Sequence, residues 1–242
     1  MLQAPQRTAL SGPELVRLLA RFAQVDVPEP RQSLSDRLSQ WLGWTDAIAL
    51  SSALTGAPPA VPAGARTFGS AEEAECARIR TSLVHTISGD SAFVTARRRG
   101  SAHVAAPAAP VDYALFRQRY QAMQQSMETG VGNLRGRLRA LLAARTPAMG
   151  RLAVLDAVME RALAERERSL LASLPVLLAG HFERLRDAGQ QAEAAQPPTP
   201  GAPGVPGAWL DLFRKDMRSV LLAELDVRLQ PVEGLLAALR AR

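Results

Sequence analysis

Three histidines, His85, His103 and His181, are the side chains best suited to ligate a metal or move a proton near neutral pH. None lies in an H-E-x-x-H or E-x-x-H arrangement, the spacing that would set two ligands on one helical face. His85 and His181 fall among apolar neighbours in helical stretches, which points to structural roles, and His103 has no acid or cysteine beside it. The single cysteine, Cys76, excludes an internal disulfide framework and a cysteine-based zinc cluster. Gly130-Val131-Gly132-Asn133-Leu134-Arg135-Gly136 looks like a phosphate loop, but it interrupts a helical pattern and no G-K-[ST] follows, so it reads as a hinge. There is no G-x-S-x-G elbow, and Glu165 and Glu167 alternate with Arg166 and Arg168 as on a solvated helix face. The expectation is a non-enzyme with no catalytic, cofactor-binding or metal-binding residues and no cofactor.

Two basic features remain. Arg97-Arg98-Arg99 lies in an Ala/Pro-rich stretch, and Arg135, Arg137, Arg139 and Arg145 follow one another without acids beside Leu134, Leu138, Leu141 and Leu142. The second is a basic amphipathic helix suited to an acidic partner helix or a membrane surface. Together they motivate the alternative of a nucleic-acid-binding protein. Against that, the net charge is only +6 over 242 residues and the two signs interleave, whereas a nucleic-acid domain concentrates its charge. Of the 29 basic residues 28 are Arg, and Lys215 is the one lysine; with Asn133 the one asparagine, a GC-rich genome accounts for the bias.

The elements that must carry these residues are helical. Ala, Leu and Arg dominate and aromatics are only 5%, which favours helix over sheet. From Tyr113 the apolar positions run Phe116, Tyr120, Met123, Met127, Val131, Leu134, Leu138 and Leu141. Eight steps span 28 residues, a mean of 3.5, the period of a left-handed supercoil. Such a face must be buried against another helix, from the same chain or a partner. Tyr113, Phe116, Tyr120, Met123 and Met127, with Arg135 and Arg139, are therefore the expected partner-binding residues.

Ser11 to Glu14 reads as a capping box for a first helix bearing Leu15, Leu18, Leu19 and Phe22; Ser33 with Asp36 caps a second. Gly43 ends or bends that helix before Ile48 to Leu54. Ser70 and Glu73 suggest a box for a helix with Cys76, Ile79 or Arg80, Leu83, Val84 and Ile87 inward. Asp112 caps the supercoil helix, which Gly130 and Gly132 should bend or break. Thr146-Pro147 opens the return helix, whose apolar positions from Met149 to Leu185 average 3.6 residues, with a kink at Pro175. The last helix places Leu210, Phe213, Met217, Val220, Leu221, Leu225, Leu229, Val232, Leu236 and Leu239 inward, kinked at Pro231. The expected organisation is all-α: an N-terminal helical module at 1–55, a flexible linker at 56–69, a helix plus loop at 70–111, a long helical hairpin at 112–189, a linker at 190–207 and a C-terminal helix at 208–242.

Arg31-Gln32-Ser33-Leu34 leading to Trp41-Leu42-Gly43-Trp44-Thr45-Asp46, together with Leu221-Leu222-Ala223-Glu224-Leu225-Asp226-Val227-Arg228-Leu229-Gln230-Pro231, resembles an uncharacterised bacterial family defined as a domain of unknown function. The resemblance spans nearly the whole chain and supplies no catalytic residues. Members are encoded near coiled-coil and envelope-associated ion-channel-like proteins, so it implies an accessory part in such an assembly. Met1 to Leu10 lacks the apolar core of a secretory signal. Leu170 to Phe182, the most apolar run, contains Pro175 and His181 and is too short for a membrane span. The expectation is a cytoplasmic assembly or adaptor protein, a homo-oligomer or bound to a coiled-coil partner, reaching a membrane surface only through that partner.

Overall fold

The computed structural model describes residues 13–25, 32–57, 60, 68–91, 111–195 and 207–241. Among these the chain is all-α, with eight helices and no strand. They are α1 (Glu14–Ala23), α2 (Leu34–Trp41), α3 (Trp44–Thr55), α4 (Ser70–Gly89), α5 (Tyr113–Ala143), α6 (Pro147–Ala172), α7 (Leu174–Ala195) and α8 (Ala208–Arg240). His103, Arg97-Arg98-Arg99 and Ser11, like most of the linkers expected at 56–69 and 190–207 and of the loop expected within 70–111, lie outside the described residues.

Local chemistry sets most helix ends. Ser33 Oγ accepts from the Asp36 amide at 3.1 Å while the Asp36 carboxylate accepts from the Ser33 amide at 3.3 Å, the reciprocal box read from the sequence. Thr146 Oγ1 accepts from the Met149 amide at 3.2 Å with Pro147 in the first helical turn, and Asp112 accepts from the Ala114 amide at 3.0 Å.

Other ends differ from expectation. Pro13 is the N-cap of α1 and no side chain caps it. At α4 the acid that reaches back is Glu72, which accepts from the Gly69 amide at 2.9 Å, while Glu73 binds Arg240 at 2.7 Å. Gly43 separates α2 from α3, and Asp46 accepts from its amide at 3.3 Å. In place of a kink at Pro175, the chain leaves the helix at Ser173 and starts α7 at Leu174, so proline occupies the first turn, where its missing N–H costs nothing.

The expected bend at Gly130 and Gly132 is absent: α5 runs unbroken for 31 residues. A methyl group on Gly130 would lie 3.5 Å from Leu83, so this glycine lets α4 pack close to α5, and that burial outweighs its helix penalty of about 1 kcal/mol. The α5 face is buried from Phe116 to Leu138 as read, but it ends on Leu142 rather than Leu141. Seven steps from Phe116 then span 26 residues, a mean of 3.7 rather than 3.5. All ten positions read as inward on α8 are buried, and the helix continues through Pro231. On α6 the expected face is not the buried one: Leu152 and Leu170 are exposed, and Ala153 and Val158 are covered instead.

The described residues fall into two packed units, which together take in all eight helices. The first comprises those within Met1–Glu29, Ile87–Tyr120 and Pro175–Val227. Its core is an aromatic cluster of Tyr113, Phe116, Phe182, Trp209 and Phe213, with ring centroids 5.0–6.1 Å apart. Gly189 lies under Trp209, where a side chain of any kind would meet the indole at 2.6 Å. The second unit comprises those within Pro30–Thr86, Gln121–Leu174 and Arg228–Arg242, where α3 packs on α6. The first 55 residues therefore contribute α1 to one unit and α2–α3 to the other.

Candidate functional site

The residues expected to meet a partner lie within the chain's own packing. Phe116, Tyr120, Met123 and Met127 are buried, and Tyr113 is half-buried. The Tyr113 hydroxyl donates to the Pro175 carbonyl, and burial pushes this phenol up to about 12, against a smaller downward pull from Arg117. A phenol normally titrates near pH ~10, so the folded state holds this proton more tightly than the unfolded chain. Its contribution to stability is complete below pH ~10 and is lost as pH rises toward about 12. Urea unfolding at pH 9 and pH 11.5 should show the wild-type chain losing more stability than Tyr113→Phe; equal losses would contradict the assignment.

The basic helix is neutralised from within the second unit. Arg135 makes a forked contact to Asp156 at 2.7 and 2.9 Å and lies 3.5 Å from Glu160, while Arg139 reaches both acids. Burial alone would lower the Arg135 pKa, but the hydrogen bond and charge of Asp156, with Glu160, outweigh it and the net shift is upward. Arg137 pairs with Glu75, and Arg145 donates to the Leu239 carbonyl. The sequence hides this compensation because Asp156 and Glu160, one turn apart on α6, are more than ten residues away from the arginines.

Two features stand out from the remaining surface, one in each unit. In the second unit, α2 and α3 contain no buried residue. Their inner side is only partly covered, and Trp41 carries the Arg166 guanidinium over its ring at 4.6 Å. Their outer side exposes Leu34 (71%), Trp44 (82%) and Ile48 (50%), the last two a single turn apart on one face. Isolated exposed apolar residues are ordinary, but an exposed Trp beside further apolar side chains is the kind of patch that marks a contact surface.

In the first unit, α1, α7 and α8 line an open cleft of about 690 Å³. His181 and Asp216 meet in its wall, Nε2 to Oδ2 at 2.9 Å, both nearly buried. Phe22 stacks on the imidazole at 4.3 Å, Arg21 stands 3.7 Å from Asp216, and Arg184 donates to the Phe22 carbonyl. Sequence reasoning placed His181 in a structural role without its partner, since 35 residues separate the pair. His85, expected on an apolar face, is exposed on α4. The Cys76 thiol is buried, and desolvation, then Glu75, pushes its pKa up, away from the reactive thiolate. Among the described residues no group of three or more His, Cys, Asp or Glu side chains could hold a metal ion, and no helix is long and apolar enough to cross a membrane.

No curated protein and no solved structure matches the chain. One family model does, over residues 1–241, and by that match the chain belongs to the family described as Protein of unknown function (DUF3348).

Proposed function

We propose that this protein is a non-catalytic helical assembly protein that associates with a second copy of itself through α2 and α3. The observation carrying this reading is that the two helices leave Leu34, Trp44, Ile48 and Leu54 exposed and cover Leu38, Trp41, Leu42 and Leu50 only in part. The hydrophobic effect, at about 25 cal/mol per Å² of apolar area, favours covering them.

Charge selects the occupant. From Leu34 to Thr55 the only charged residues are Asp36, Arg37 and Asp46, so the surface demands no oppositely charged partner and does not repel its own copy. A membrane-surface helix would set Lys and Arg along its polar face, and here Arg37 stands alone. Nucleic acid is a poorer fit because Arg135, Arg137, Arg139 and Arg145 already have acceptors within the chain. Partnership with a coiled-coil protein would use the α5 face, which is already covered.

Light scattering on the full chain from 1 to 100 µM tests the proposal. The expected mass rises with concentration from the 26.0 kDa monomer toward twice that value. The double substitution Trp44→Ser, Ile48→Ser should keep its helical circular dichroism and weaken association by about 100-fold, the scale of losing a central aromatic anchor. A constant 26.0 kDa mass, or a variant that associates like the wild type, would refute self-assembly through this face.

A further inference from the structure

The cleft lined by α1, α7 and α8 has a size and a charge arrangement that assembly through α2 and α3 does not use. About 690 Å³ is the volume of a small-molecule site. Leu18, Phe22, Leu185 and Leu212 make part of its lining apolar, and three cationic side chains, Arg21, Arg184 and Lys215, border it.

The acids that face the cleft are already engaged. Asp216 takes the imidazole of His181 at 2.9 Å and has Arg21 at 3.7 Å, and Glu14 accepts from Arg17 at 2.8 Å. Arg184 is held at the edge by its hydrogen bond to the Phe22 carbonyl. The Lys215 ammonium, by contrast, has no carboxylate within ion-pair distance among the described residues. The charge left uncompensated around the cleft is therefore positive, which favours an anion.

The apolar part of the lining restricts which anion. A bare inorganic anion would leave the half-buried Leu185 and the exposed Leu212 uncovered, whereas an aromatic ligand finds the Phe22 ring already stacked on His181. We propose that the cleft binds a small amphipathic carboxylate, its head group on Lys215 and Arg184 and its aliphatic body against Leu18, Leu185 and Leu212. The polar His181–Asp216 pair would fix the wall without itself contacting the aliphatic body.

Titration calorimetry of the full chain with octanoate, 1-octanol and inorganic phosphate separates the contributions. Octanoate should bind, with octanol and phosphate each at least tenfold weaker, because each lacks one half of the recognition. Lys215→Met removes the charge from an exposed position on α8 and should weaken octanoate about tenfold while leaving octanol unchanged. Octanol equal to octanoate, phosphate equal to octanoate, unchanged octanoate affinity in Lys215→Met, or no octanoate heat up to 10 mM would each overturn the proposal. None of these outcomes depends on whether the chain self-associates, since Trp44→Ser, Ile48→Ser should bind octanoate as the wild type does.

Discussion

Replacing Phe213 with Ala should destabilise the first unit by about 3–5 kcal/mol, a large share of the ~5–15 kcal/mol that typically separates folded from unfolded domains. Phe213 is fully buried and lies at the centre of the aromatic cluster. Its ring centroid is 5.0 Å from Phe182, 5.2 Å from Phe116 and 6.1 Å from Tyr113, with interplanar angles of 82°, 80° and 72°. These are edge-to-face contacts, in which the positive rim of one ring meets the negative face of another, and each adds roughly 0.5–1.5 kcal/mol beyond the area it buries. Truncation to Ala loses that geometry and leaves a cavity framed by α5, α7 and α8, which three rings cannot readily collapse to fill. In urea the midpoint should fall with little change in slope. Phe213→Leu, which keeps most of the volume, should cost no more than half as much. A loss under 1 kcal/mol for the Ala variant would mean that the cluster is not packed as described.

Tyr120→Phe should cost about 2–3 kcal/mol through one lost hydrogen bond. Tyr120 and Glu224 are both wholly buried, and the phenol O–H donates to Glu224 Oε2 at 2.7 Å. A hydrogen bond to a carboxylate is stronger than one between neutral groups, and its loss from a buried site costs correspondingly more. The consequence reaches beyond stability. Sliding α5 along α8 would pull the phenol away from the carboxylate, so the pair favours one register of the two helices, a role buried polar groups fill in helical bundles. A double-mutant cycle with Glu224→Gln should return a coupling of about 1 kcal/mol or more; strict additivity would show that the two side chains do not act together.

The extent to which this architecture is legible in the chain follows from how local each determinant is. The inward face of α8 and most of that of α5 are readable because apolar spacing repeats over many turns, and a long repeat averages out single exceptions. The Ser33–Asp36 box, the Asp112 cap and the Thr146–Pro147 start are readable because both partners lie within three residues of each other. Periodicity misled where a helix is only partly covered. On α6 an apolar stripe with a 3.6 period exists, yet Leu152 and Leu170 face outward, because the stripe says where a helix could be buried and not what is there to bury it.

Glycine and charge show the same division. Gly130 is a poor helix residue in isolation, but contact with Leu83 turns the missing side chain into close packing, a gain that depends on a helix some 40 residues earlier. Arg135 and Arg139 form a basic face when α5 is read alone and part of a neutral network once Asp156 and Glu160 are beside them. His181 acquires Asp216, and Tyr120 acquires Glu224, by the same route.

The amino-acid order by itself determined that the chain is helical, where most helices begin, and which faces of α5 and α8 are apolar, since backbone propensity, caps and side-chain period act over a few residues. Tertiary structure alone decided which of those faces the chain covers for itself, which charges cancel, and where a cleft opens between α1, α7 and α8. Those outcomes are sums over contacts between residues distant in sequence, and Trp44 and Lys215 gain their meaning from what the rest of the fold leaves uncovered around them.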